Sequence, residues 1–278
     1  VAWRGLWKLV EPSDGTWDWS RLDTALDEAA DAGKRVTIHL GSSGGGWPTW
    51  LTTAGVATYA GTTPLGPVTD PVPWDATYLA RYSRLMQMLA THLTARNATA
   101  RVRAVSVGAP VSEMSLVGCT QGVLGTSPTS VAYDRARYLG AWSTAAQAVM
   151  TAFPANEVVV SAPVPVICRP DSDGAAFFRD LMTPLARASI FAADLKASGS
   201  QRAGQIDATL RGRPLLFQTI WSSTNDPTNR LEGTLSSAVC SGLALGARYF
   251  ELYKADLDST TPALQRAVRQ AGGAEPCP

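Results

Sequence analysis

The sequence has no CxxC pair, no cysteine–histidine spacing and no HExxH, so no metal site is expected. No GxGxxG follows any predicted strand, which weighs against a dinucleotide-binding sheet. The glycine-rich stretch 41–46 lacks a GK[ST] ending and runs into Pro48, so it is not a phosphate loop. No cofactor is expected. Charge of one sign is also missing: 24 basic against 23 acidic residues leave a formal charge of +1. That balance gives no electrostatic case for nucleic acid or an anionic membrane. No apolar run reaches the roughly 18 residues of a membrane helix. No signal peptide is visible, because Val1 already reads as part of a strand; the numbering reads as that of a trimmed chain.

What is present points to one large domain, 1–278, with 45% hydrophobic residues and ample core. Nine tryptophans are a high count, and seven of them (Trp3, Trp7, Trp17, Trp19, Trp47, Trp50 and Trp74) fall in the first third. Most serve as core or loop anchors, since an indole buries a large area. Cys119 and Cys168 each follow a predicted strand, and Cys277 lies in a terminal tail. The favoured pairing is Cys119–Cys168 with Cys240–Cys277, which implies a secreted protein. Four reduced thiols in a cytoplasmic protein are the alternative.

Along the chain, strands alternate with helices. A strand over 2–9 leads through a Glu11-Pro12 turn to a helix with Ser20 at its N-cap and Gly33 at its C-cap. Strand 35–40 follows, and then 52–75, a Thr-, Gly- and Pro-rich stretch that predicts a long irregular loop. Helix 78–94 precedes the strand around 102–107. Helix 133–153, strand 157–164, helix 175–188, strand 190–195, helix 201–210, strand 214–221, helix 231–245, strand 248–253 and helix 262–270 complete the series. The alternation predicts an α/β fold with a parallel sheet. About seven strands at this spacing predict a (β/α)8 TIM barrel with its first strand missing from the N-terminus; a doubly wound open sheet is the alternative.

The stretch RVRAVSVGAPVSEMSL, 101–116, holds the leading candidate for chemistry. Val102, Val105 and Val107 form a buried strand that Gly108, Ala109 and Pro110 end. Glu113 then stands just past the carboxyl edge, where a barrel mounts its catalytic groups. The plainer alternative is a carboxylate that caps the next helix or sits in solvent.

The segment R4GLW7KLVE11P12SDG15TW17DW19S20RLD23, followed by AGKRVTIHL and P48TW50L, resembles the second and third units of retaining (β/α)8-barrel glycoside hydrolases, nearest to the β-galactosidase-like families. WDATYLARYSRLMQMLATHL, VRAVSVGAPVSE and GARYFELYKADLD fit the same layout. The resemblance implies a carbohydrate ligand and a cleft at the carboxyl face of the barrel. It makes Glu113 the acid/base glutamate, although Ser112 stands where an asparagine normally precedes it. The nucleophile of that superfamily is a glutamate at the end of strand seven, where this chain has Gln218. An amide cannot attack an anomeric carbon as a carboxylate does, so Glu251 on the last strand becomes the candidate second carboxylate. Its alternative is a buried acid paired with Arg4 or Lys254.

Arg4 orients a carboxylate or forms a structural ion pair. His39 bonds a sugar hydroxyl or is a satisfied core histidine. Trp47, Trp50 and Trp221 follow strands at the carboxyl edge and are expected to be cleft-lining platforms for sugar rings. Glu11 is expected to fix its loop by accepting backbone hydrogen bonds, and His92 to lie at the surface. Asp256 and Asp258 follow the last strand, either to bind a hydroxyl or to cap a helix. Two functional classes follow: a glycoside hydrolase using Glu113 and Glu251, or an inactive glycan-binding or scaffold protein that has lost the strand-seven nucleophile.

Overall fold

The computed structural model describes all residues except 43–44, 64–65, 111–118, 121, 126–127, 163–172, 207, 211 and 278. The chain divides into two compact units, residues 1–188 and 189–278.

In the first unit, β1 (Ala2–Leu6), β2 (Val36–Gly41), β5 (Val102–Ser106) and β9 (Glu157–Ser161) lie side by side in that order, all parallel. The helices α2 (Ser20–Asp31), α4 (Ala76–Ala95), α5 (Arg135–Ala152) and α6 (Gly174–Met182) run between or after them. Ile38, Leu40, Val105, Val158 and Val160 put one face of this sheet into the core, with Leu22, Leu26, Leu85 and Leu89 from the helices also buried. Asp75, Asp134 and Asp173 cap α4, α5 and α6 by accepting from the backbone N–H three residues on, at 2.8–3.0 Å. Each such cap is worth about 1 kcal/mol. Gly33, at φ +64°, closes α2 in the left-handed conformation that favours glycine.

The first strand is shorter than the sequence predicts. It ends at Leu6, and Trp7–Val10 turn into a short helix, α1. Helix α2 begins at Ser20 itself, behind Trp19. The stretch read as an irregular loop opens on the end of a short helix, α3 (Trp50–Thr53), and contains an antiparallel hairpin, β3 (Thr58–Thr63) with β4 (Gly66–Pro71). Threonine and valine favour extended backbone, and cross-strand pairing supplies the order that periodicity does not reveal. A small sheet of β6 (Cys119–Thr120), β7 (Val123–Leu124) and β8 (Val131–Ala132) is likewise absent from the sequence reading.

The second unit has three parallel strands in the order β10 (Ala188–Leu195), β11 (Leu215–Thr219) and β12 (Ala247–Glu251). Between β10 and β11, two short 3₁₀ turns, Ala203–Gln205 and Ala208–Leu210, replace the helix predicted over 201–210. Helix α7 (Leu235–Ala244) follows β11, capped by Thr234 through the Ser237 N–H at 3.1 Å. The short α8 (Lys254–Leu257) and the closing α9 (Pro262–Ala271) follow β12.

Cys240 on α7 and Cys277 form the expected disulfide, across 37 residues of chain. Cys119 is also disulfide-bonded, while Cys168, its expected partner, lies outside the described residues. A loop of the size closed by Cys240 and Cys277 restricts the unfolded chain by about 3–4 kcal/mol. Cys277→Ser is therefore expected to lower unfolding free energy by about that amount in denaturant titrations. A negligible loss would mean that the tail already frays from α7. No described helix is long and apolar enough to cross a membrane.

Candidate active site at the carboxyl ends of the strands

Residues paired across parallel strands share a face of the sheet. Arg4 is partnered with His39, so the two project together from the face opposite Ile38 and Leu40. Arg4 is exposed and His39 half-buried.

Past β1 the chain folds around Glu11, which is fully buried. One carboxylate oxygen accepts from Trp7 Nε1 at 2.8 Å, and the other from the Gly15 N–H at 3.0 Å. The guanidinium of Arg84 on α4 bonds the same carboxylate and also Asp14. The Arg84 guanidinium lies 5.7 Å from the rings of both Trp17 and Trp50. Trp50 donates its indole N–H to the Glu11 carbonyl at 3.0 Å. Glu11 thus ties the first loop together, using a backbone bond as expected and two side chains that sequence reading does not link to it. A buried carboxylate held by an arginine, an indole and a backbone N–H is a structural anchor. Trp47 is only 5% exposed and donates to the Thr69 carbonyl of β4 at 2.8 Å.

At the ends of β2 and β5, three hydroxyls secure the backbone that leads toward Glu113. Tyr78 on α4 donates to Ser42 Oγ at 2.7 Å and lies 3.0 Å from the Pro110 carbonyl. Ser42 donates to the Gly108 carbonyl at 2.8 Å, and the Gly108 N–H donates to Tyr82 Oη at 3.0 Å. Gly108 is required by space: a Cβ there would sit 1.9 Å from the Leu40 carbonyl oxygen. Burial raises the Tyr78 and Tyr82 hydroxyls far above their ordinary pKa, so both stay neutral. The helical spacing of Tyr78, Tyr82, Leu85 and Leu89 marks the core face of α4 but does not by itself reveal the clamp. The available signal is a phenol on a core face, which needs a polar partner when buried. Glu113 itself lies outside the described residues.

In the second unit, Gln218 and Glu251 are register partners on neighbouring strands, so they share one face. Glu251 ends β12 and is 6% exposed, while Gln218 is half-buried. Trp221 follows β11. Its N–H donates to the Asn225 carbonyl at 2.5 Å, and Arg230 lies over its ring at 4.3 Å. Tyr253 is tilted against it at 6.3 Å. Asp256 is not an N-cap, since Tyr253 holds that position in α8. Its Oδ1 accepts from Ser222 and Ser223 hydroxyls and from the Ser223 and Thr224 N–H groups, at 2.7–3.2 Å. That fixes the loop bearing Trp221. Asp258 pairs with Lys254 on the surface. His92, expected at the surface, is partly covered; it bonds Asp23 at 2.7 Å and stacks on Trp19 at 5.4 Å.

The structure therefore brings together Arg4 with His39, Glu11 with Trp50, and Gln218 with Glu251. Parallel strands alternating with helices in this order belong to the (β/α)8 class of α/β proteins. Solved structures share this fold, among them two xylanases. Xylanase 10B from Thermotoga maritima aligns with a TM-score of 0.52 at 11% identity, over 89% of this chain and 71% of that one. Xylanase 10B from Thermotoga petrophila RKU-1, solved in complex with xylobiose, gives 0.54 at 9% identity, over 89% and 70%. At such identities the likeness is one of fold. In sequence, residues 5–63 match the glycoside hydrolase family described as beta-galactosidase, which bears out the resemblance seen over residues 4–50. No curated protein matches the chain.

Proposed function

We propose that the chain, read as a single domain 1–278, is an exported glycoside hydrolase. Glu113 protonates the leaving oxygen and Glu251 serves as the second carboxylate. The observation that carries this reading is the register of Gln218 with Glu251. The strand-seven position of the retaining nucleophile holds an amide, and the neighbouring strand offers a buried carboxylate on the same face. A carboxylate kept from bulk water beside an amide is suited to polarise a water molecule. Arg4, His39, Gln218 and the indoles of Trp50 and Trp221 are the proposed sugar contacts, while Trp47, 5% exposed, is an anchor of the loop rather than a platform. The xylobiose bound by one relative in fold and the beta-galactosidase match make xylo-oligosaccharides and β-galactosides the first substrates to try.

Gln218 also favours a second reading, a glycan binder without turnover. The two are separated by measuring binding and reducing-sugar release on the same oligosaccharides. The hydrolase reading expects turnover by the parent and, in Glu113→Gln, a kcat lower by about a hundred- to ten-thousandfold with binding retained. Binding by the parent with no release of product would establish the second reading instead.

A further inference from the structure

Past the end of β10, the second unit holds a cavity of about 190 Å³ lined by Lys196, Ser198, Gly199, Ser200, Gln201 and Glu232. Its walls are two loops fastened to each other. Lys196 and Gly199 exchange backbone hydrogen bonds at 2.8 and 3.0 Å, and the Ala197 N–H donates to the Leu231 carbonyl at 2.9 Å. Ser241 on α7 donates to the Ala197 carbonyl at 2.6 Å. The loops approach so closely that a Cβ on Gly233 would lie 2.7 Å from that of Ala197.

Glu232 is the unusual member of this group. Its φ is +57°, in the left-handed region; the other non-glycine residues there among those described, Asn97 and Asn229, are asparagines, which tolerate it. A glutamate has no such tolerance, so its side-chain contacts and the surrounding loop must hold it. Lys196 Nζ bonds one carboxylate oxygen at 2.6 Å, and Ser198 donates to the other. Asp194 meanwhile receives the Ser200 hydroxyl and the Arg202 N–H, and the Ser200 oxygen accepts from the Ala203 N–H at 3.0 Å.

We infer that this cavity is a binding site for a single neutral polyhydroxyl ring, a sugar residue whose vicinal hydroxyls bridge Lys196 and Glu232. The lysine has further N–H donors and the carboxylate further lone pairs, and the Gln201 amide offers one of each kind. The ammonium and the carboxylate cancel in charge, which favours a neutral ligand over an ion of either sign. The volume is below the range of about 300–1,000 Å³ typical of larger ligands, which sets the size at one ring. The ligand class rests on the glycan reading above, but the site does not depend on turnover.

The test is a titration of the whole chain with methyl glucoside, methyl galactoside and methyl xyloside, followed by backbone amide shifts at Gly199, Ser200, Glu232 and Gly233, with inorganic phosphate as control. At least one glycoside is expected to shift these amides saturably, and phosphate is not. Lys196→Met and Glu232→Gly are each expected to weaken that binding by about tenfold or more. Glu232→Gly is also expected to fold as well as the parent, because glycine accepts the left-handed backbone. Glu251→Gln is expected to bind like the parent. No saturable shift with any glycoside, the same shift with phosphate, or unchanged binding in well-folded Glu232→Gly would overturn the inference. Saturable binding in a parent that hydrolyses nothing would leave this site standing and defeat the hydrolase reading.

Discussion

Gly108→Ala is expected to cost about 3 kcal/mol or more of folding free energy, or to prevent folding. The added methyl would meet the Leu40 carbonyl oxygen at 1.9 Å and its carbon at 2.8 Å, both backbone atoms in β2. Flexible side chains can swing aside from such a clash, but a strand inside a parallel ladder cannot. Gly108 also donates its N–H to Tyr82 and accepts at its carbonyl from Ser42, so any shift breaks two buried hydrogen bonds. Gly140→Ala provides the control. That glycine lies inside α5, and a Cβ added to it would meet nothing within 4 Å, so alanine there is expected to stabilise by about 0.5–1 kcal/mol. Urea titrations of the two variants should therefore move in opposite directions. Similar midpoints would mean that the backbone at Gly108 does not press against Leu40.

The second large effect concerns Glu251. Glu251→Gln is expected to lower kcat by about a hundredfold or more on every substrate the parent turns over, including aryl glycosides with good leaving groups. Glu113→Gln should behave differently. An aryl leaving group departs with little help from an acid, so the loss on those substrates should be much smaller than on oligosaccharides. Steady-state kinetics on one aryl glycoside and one oligosaccharide check both at once. If Glu251→Gln retains parental kcat, the carboxylate has only a structural role and the proposed pair fails.

Much of this architecture is legible in the chain because the physical signals are local. The apolar spacing of Leu85, Leu89 and Leu93 marks α4, and the valine run at 102–107 marks β5. The Arg4-x-x-Trp7 and Glu11-Pro12 segment is specific enough to suggest the superfamily, and all but Arg4 of it lies within the matched region. Features settled by tertiary contacts are not legible. The β3–β4 hairpin shows no alternation that stands out among its threonines and prolines. The 201–210 stretch has helix-forming residues but folds into two short turns. Arg84 sits 73 residues from Glu11 in sequence, so their pairing has no local signature. The same holds for Tyr78, whose hydroxyl reaches Ser42 and Pro110 across 36 and 32 residues. Glu232 falls within the helix predicted over 231–245, but α7 begins only at Leu235 and Glu232 precedes it in a left-handed conformation that no local signal reveals.

The most direct test of the hydrolase account is the anomer first released from an oligosaccharide, followed by proton NMR before mutarotation. With an amide at position 218 and Glu251 activating water, the account predicts a product of inverted configuration. A product of retained configuration would require a covalent glycosyl-enzyme intermediate and would contradict the role of Glu251 as the base that activates water.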